Sequence, residues 1–293
     1  MEGDDAAPPF SRHRQRKQQF AINQSAKVAR HGRSHRAVAN EKAHLDVAIK
    51  GGLREVGRGH EHRLVVGHDS LDALSEKLIE DTKALVRARD SGRKVSGWMR
   101  GHLQQRPPPA APYIFPDIVA NPYAVQVTHA VLGDGLFNTF YSGNTNLPGS
   151  EEQPLHRDAA LLWPAWETAH PPATLVVNIS PISVDEATGS TEIWPASHLV
   201  TGELTEALIE SRRQQRPPVR VRAPRGSVVI RDIRLWHRGV PNESDQIRHM
   251  IAMVHQIHWF RRAQRLRFER GCEAAFDSQH LDANADFVDG PEE

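Results

Sequence analysis

The chain has 293 residues, 39% of them hydrophobic, and a formal net charge of +1, enough length for one large core or two small domains and too little net charge for a whole-molecule field. Its one cysteine, Cys272, excludes a disulfide framework and a cysteine-built zinc site, and fits a reducing, cytoplasmic setting. There is neither a run of about 18 apolar residues nor an apolar signal core behind the charged N-terminus, which argues against membrane insertion and export.

In chain order, the first segment is strongly basic. Between Ser11 and Arg63 stand 13 Lys/Arg and 6 His against 4 Asp/Glu, with few large apolar residues and no sustained periodicity. Such a stretch buries too little surface to offset its ordering entropy, so residues 1–63 read as a disordered extension dispensable for catalysis. Basic tails bind nucleic acid, but this one has no nucleic-acid motif or regular stripe, and that reading is set aside.

From Ser70, SLDALSEKLIEDTKALVRARDSG places Leu71, Leu74, Leu78 and Leu85 at helical spacing, with Ser70 as cap and Gly92 as stop. GHLQQRPPPAAP, Gly101 to Pro112, reads as a proline-rich loop. Short strand-like runs follow: YAVQVTHAVL, LFNTFYS, ATLVVNIS, STEIW, VRVRA, SVVIRDI and HMIAMVHQIHW. Their β-branched and aromatic residues, bounded by Gly, Pro and Asn, predict a mainly antiparallel barrel or jelly roll, although YAVQVTHAVL also suits a helix. From Gly271 the chain carries seven acids and no Lys or Arg, and 271–293 reads as an acidic tail.

Three His-x-Asp pairs occur: His44/Asp46, His156/Asp158 and His280/Asp282. The pattern is common by chance among 17 histidines. It becomes useful on an extended backbone, where residues i and i+2 point to one face and reach one ion. Only His156/Asp158, in SEEQPLHRDAALLWP, lies inside the strand-rich region. A third ligand must come from a distant strand. His237 is the best placed, ending a strand-like run before a Gly-Val-Pro-Asn turn, with His249, His255 and His258 as alternatives. Two imidazoles and a carboxylate on one side of an ion form the facial triad suited to non-haem Fe(II). Arg248, eleven residues past His237, offers a guanidinium able to grip a carboxylate at two points.

Four features in order, QPLHRD, GSTEIWPASH, GSVVIRDIRLWHRGVPN and Arg248, resemble the phytanoyl-CoA dioxygenase-like Fe(II)/2-oxoglutarate oxygenases from about Leu64 to Phe260. The resemblance implies a mainly β chain with flanking helices around a double-stranded β-helix (jelly-roll, cupin-like) core, with residues 64–270 as the dioxygenase domain. It implies His156, Asp158 and His237 as iron ligands and Arg248 on the far carboxylate of 2-oxoglutarate. It further suggests Gln153 and Thr191 as polar contacts to that co-substrate, with Asn138 facing the same cavity.

The activity so implied consumes O2 and 2-oxoglutarate, releases succinate and CO2, and oxidises a positioned C–H bond of a small organic substrate. Asp158 bears on the outcome, since related halogenases lack this carboxylate, so hydroxylation is the expected reaction. LQQRPPP is a candidate for the cavity entrance and Trp163, Trp166 and Trp194 for its wall. Nothing in the sequence names the substrate, whether acyl thioester or other metabolite, or the oligomeric state. The competing class is a non-oxygenase, cupin-like metal-binding barrel, which keeps the three ligands but has no need of Arg248.

Overall fold

The computed structural model describes residues 47–50, 66–166, 168–260 and 264–290. The basic extension over 1–63 therefore lies outside the described residues, except for strand β1, Val47–Lys50, which pairs antiparallel with Val228–Arg231. The described residues belong to one unit, His44–Glu293.

Helix α1, His68–Asp90, buries Leu71, Leu74 and Leu78, three sites one helical face apart, each stabilising the fold by about 1.5–3 kcal/mol. It starts two residues before the expected cap. Gly67 holds the N-cap position and its N–H donates to Asp117 Oδ2 at 2.6 Å, so Ser70 lies inside the first turn. Gly92, at φ +86°, ends it as expected. Strands β2 (Trp98–Met99) and β3 (His102–Gln104) follow, the second inside the stretch expected to be a loop. The one-turn helix α2, Pro116–Val119, precedes α3, Pro122–Leu132, so YAVQVTHAVL is a helix. The Asn121–Pro122 pair decides it: Asn121 Oδ1 accepts from the N–H groups of Tyr123 and Ala124, and Pro122 sits at the first turn.

The major sheet is built from β4 (Phe137–Asn146), β5 (Thr174–Ile179), β8 (Val228–Asp232) and β10 (Arg248–Gln256), in the order β1-β8-β5-β10-β4-β3-β2. Every named pairing within it is antiparallel. The minor sheet holds β6 (Glu192–Ile193), β7 (Val219–Arg220) and β9 (His237–Arg238) in the order β7-β6-β9. Helix α4, Glu206–Gln215, connects β6 to β7 and buries no residue.

Period-two alternation gives the major sheet two faces. Leu175, Val177, Ile179, Val228, Ile230, Ile251 and Met253 join the leucines of α1, Ile118 and Val119 of α2, and Val125 and Leu132 of α3 in one core. Val176, Asn178, Val229, Arg231, Met250, Ala252 and Val254 face the opposite way and line a cavity of about 510 Å³ with the minor sheet. Both sides of β5 are therefore covered and all six of its residues are buried.

The acidic segment from Gly271 packs instead of trailing as a tail. Strand β12, Ala285–Val288, pairs in parallel with β11, Leu266–Glu269. Phe276, Leu281 and Ala285 enter the core, and Asp282 O accepts from Asn138 N at 2.9 Å. Its charge pattern had hidden these apolar residues, which supply the buried surface a tail lacks.

Candidate active site

The three ligand candidates converge. His156 and His237 come from separate elements and are tied by a reciprocal pair of backbone hydrogen bonds, His156 N to His237 O at 3.1 Å and His237 N to His156 O at 2.9 Å. Asp158 N donates to Ile233 O, so Asp158 is carried back toward the same strand end. The ligating atoms of the three side chains all lie within 4.8 Å of one another, the one such cluster among the described residues.

Each imidazole is set in the tautomer a metal needs. His156 Nδ1 donates to Pro154 O and His237 Nδ1 to Leu235 O, both at 2.9 Å. A carbonyl can only accept, so each Nδ1 carries a proton and Nε2 is the nitrogen left for the site; that of His237 also lies 3.4 Å from Arg231 Nη2. Asp158 Oδ1 stands 3.6 Å from His156 Nε2 and 3.4 Å from His237 Nε2, while its Oδ2 takes a 2.7 Å hydrogen bond from Arg231 Nη2. Burial by itself would push the Asp158 carboxyl up, but contacts with His237 and Arg231 outweigh it and hold the group well below the usual carboxylate range. Burial pulls His237 down, with the Arg231 charge adding to it. The donor set is thus one carboxylate and two imidazoles that turn Nε2 to the site, matched to a divalent iron with open positions.

Arg248 lines the same cavity and is 1% exposed. Nη1 donates to Asn144 Oδ1 at 3.3 Å and Nη2 to Gly189 O at 3.1 Å, while Nε has no partner. Burial and the Arg220 charge pull its pKa down to about 10, so it stays protonated at neutral pH. No carboxylate pairs with it among the described residues. A buried, charged guanidinium without a counter-ion costs several kcal/mol unless a ligand supplies the anion. Gly189, at φ +74°, leaves no room for a side chain, because a Cβ there would run into the Asn146 side-chain amide.

Gln153 and Thr191 also line the cavity. Gln153 Oε1 accepts from Gly239 N at 2.9 Å, which fixes the amide's orientation and leaves its NH2 group as the end not engaged by that contact. A Cβ on Gly239 would stand 2.5 Å from His102 Cε1, so glycine keeps this corner open. Asn138 does not reach the cavity. A register shift between Val254 and His255 pairs Phe140 with Val254 but Asn138 with His255, turning Asn138 toward the helices. There its Oδ1 accepts from Phe140 N and Val254 N, both at 3.3 Å.

The remaining expectations fall elsewhere. His249 and His255 face the helix layer, with Thr82 Oγ1 2.8 Å from His249 Nε2 and Thr128 Oγ1 2.9 Å from His255 Nδ1, and His258 is exposed. His280 stacks on His129, and His44/Asp46 lies outside the described residues. Trp194 is buried against Trp236, whereas Trp163 and Trp166 stack on each other at the surface; none lines the cavity. From LQQRPPP only Gln104 does.

Three cavity residues went unnoticed in the sequence. Asn144 holds Arg248. His102, buried, donates from Nε2 to Glu151 O at 2.8 Å and leaves Nδ1 bare; burial lowers its pKa, with the Arg248 charge contributing, so it is neutral. Arg231 had a readable signal: it is the one charge in the cavity-facing alternation Val229, Arg231, Ile233.

These features define a metal- and dicarboxylate-binding double-stranded β-helix. The phytanoyl-CoA dioxygenase (PhyH) profile matches residues 52–250, and the chain belongs to that family, whose metal is Fe(II) and whose co-substrate is 2-oxoglutarate. Among solved structures it is similar to AviO1 from Streptomyces viridochromogenes Tue57, at 22% identity over 66% of this chain and 86% of that one (TM-score 0.49). It is also similar to the epimerase SnoN in complex with Fe3+, alpha-ketoglutarate and nogalamycin RO, at 15% identity over 82% and 84% (TM-score 0.49). HygX from Streptomyces hygroscopicus, with nickel, 2-oxoglutarate and hygromycin B bound, matches at 13% identity over 81% and 92% with TM-score 0.52, a likeness of fold. No helix among the described residues is long and apolar enough to cross a membrane.

Proposed function

We propose that this Fe(II)- and 2-oxoglutarate-dependent enzyme hydroxylates a C–H bond of a small organic substrate. His156, Asp158 and His237 hold the iron; Arg248 grips the far carboxylate of 2-oxoglutarate, with Gln153 and Thr191 contacting the rest. Bound iron and 2-oxoglutarate supply oxidation by O2, and the chain supplies placement. The Nε2 atoms and Asp158 Oδ1 would hold the metal, and Val176, Val229, Val254 and Ile233 supply an apolar lining that would limit water beside it.

The observation that carries this reading is Arg248, a buried cation in the cavity with no carboxylate paired to it among the described residues. A cupin-like binding barrel would give no reason to bear that cost. The test is succinate formation from 2-oxoglutarate with Fe(II) and O2 against a metal-free control, followed by product analysis under 18O2. One labelled oxygen per product is the expected result; oxidised product without label would leave the co-substrate reading and overturn hydroxylation. Every residue assigned to the iron or to 2-oxoglutarate lies between Gln153 and Arg248, and deletion of residues 1–46, which spares β1 and its pairing with β8, is expected to leave succinate formation intact.

A further inference from the structure

Arg231 is the cavity residue that the iron and co-substrate reading leaves only half employed. It sits on β8, flanked on the cavity face by Val229 and Ile233 and in cross-strand register with Val176, which in turn pairs with Val254. An arginine in that row replaces what strand alternation would fill with another aliphatic side chain. It is 7% exposed. Nη2 donates to Asp158 Oδ2 at 2.7 Å and lies 3.4 Å from His237 Nε2, while Nη1 is buried with no hydrogen-bond partner. One nitrogen is enough to orient Asp158, so the rest of the fork is unspent.

It does not belong to the Arg248 clamp. Arg248 is held by Asn144 and Gly189, Arg231 by Asp158. Val254, in the Arg231 row, is six residues along β10 from Arg248, about 20 Å of strand. The charges point the same way. Among the lining residues Asp158 is the one acid, facing the two arginines. A divalent iron and a doubly charged 2-oxoglutarate cancel each other, so the loaded centre keeps one positive charge in excess. In an apolar wall that surplus is costly until an anion meets it.

We propose that Arg231 is a specificity residue, binding a carboxylate on the substrate, which is a free organic acid with an apolar body and not its ester, amide or thioester. The proposal rests on the Fe(II)/2-oxoglutarate reading above. The free Nη1 takes one carboxylate oxygen while Nη2 stays on Asp158, and Val176, Val229, Val254 and Ile233 receive the hydrocarbon part. Arg231 thereby couples the substrate's charge to the metal ligand it already holds.

The experiment uses matched acid and amide pairs, benzoate with benzamide and octanoate with octanamide, added to the anaerobic Fe(II) protein saturated with 2-oxoglutarate. Perturbation of the visible iron-to-2-oxoglutarate charge-transfer band and calorimetry report binding. Acids are expected to bind at least tenfold more tightly than their amides. Arg231→Gln should bring each pair within twofold while 2-oxoglutarate affinity stays within about threefold, and Arg231→Lys should keep part of the preference. Equal affinity of acid and amide in the unmodified protein overturns the proposal, as does a loss of 2-oxoglutarate in Arg231→Gln as large as the loss of the acid. If Arg231→Gln does not fold, judged by its melting curve, the acid–amide contrast in the unmodified protein and in Arg231→Lys decides. Absence of the band in the unmodified protein, with the acid preference intact by calorimetry, would instead overturn the oxygenase reading and leave the anion site.

Discussion

The two faces of the major sheet use the same polar residue types for opposite ends. Toward the helices, His249 and His255 are met by Thr82 and Thr128, and Gln105 ties Thr82 to Thr145. Toward the cavity, His156 and His237 spend Nδ1 on backbone carbonyls and present Nε2 to the site, and Arg231 and Arg248 each keep a nitrogen without a partner. The first arrangement stabilises the fold by serving buried groups; the second leaves donors and acceptors waiting for a ligand. The division has exceptions on the helix side, where Tyr141 Oη and His255 Nε2 are also unserved. What separates the faces is convergence: the cavity's open atoms point at common targets, the helix side's do not.

The comparison breaks first at the metal. Asp158→Ala should abolish Fe(II)-dependent succinate formation, a loss of at least about a thousandfold, whereas Asp282→Ala, removing an acid outside the cavity, should retain it. Full turnover in Asp158→Ala would end the assignment. Arg248→Ala comes next. Losing one side of a buried charge-assisted pair should weaken 2-oxoglutarate binding by roughly 2–4 kcal/mol, with Fe(II) affinity little changed by calorimetry. Unaltered co-substrate affinity would remove Arg248 from the site.

The helix face should answer to pH through stability. Burial, with the Arg248 charge adding to it for His249, lowers both His249 and His255 from 6.5 to about 4. Between these values the unfolded chain binds more protons than the folded one, so the stabilisation is complete above about pH 6.5 and is lost as pH falls toward 4. Each histidine contributes up to about 3 kcal/mol. Urea melts from pH 7 to 4.5 should show this slope, and His255→Gln should flatten it. An identical slope in that variant would show that His255 does not titrate on unfolding.

Much of this was legible because ligand chemistry leaves local marks. His156 and Asp158 are two residues apart, His237 precedes a turn, and Arg248 follows eleven residues later. Six strand-like runs became strands because β-branched residues and turn signals bounded them. Other features depend on events distant in sequence. The strand β3 exists because β4 offers it a paired edge, His102 opposite Asn146, and nothing in GHLQQRPPP announces that. The C-terminal segment reads as a tail because its acids outnumber its apolar anchors Phe276, Leu281 and Ala285, which matter only once a core is there to receive them. Alternation along LFNTFYSGNTN would put Asn138, Phe140 and Asn144 on one face. The register shift moves Asn138 off it, and no composition rule locates that bulge.

That pair of asparagines gives the smallest predicted effects and the finest distinction between the faces. Asn144 Oδ1 accepts from Arg248 Nη1 on the cavity side. Asn144→Ala removes one restraint on a guanidinium that Gly189 O still holds, so 2-oxoglutarate should bind about fivefold more weakly, roughly 1 kcal/mol, with the melting temperature nearly unchanged. Asn138 Oδ1 instead serves two backbone N–H groups at the bulge, Phe140 and Val254. Asn138→Ala leaves both without that acceptor and should cost about 1–2 kcal/mol of stability while leaving co-substrate affinity alone. Titration calorimetry and urea melts on the two variants separate the roles. Should Asn138→Ala weaken 2-oxoglutarate and Asn144→Ala lower stability, the bulge does not turn the strand as described, and Asn138 belongs to the cavity.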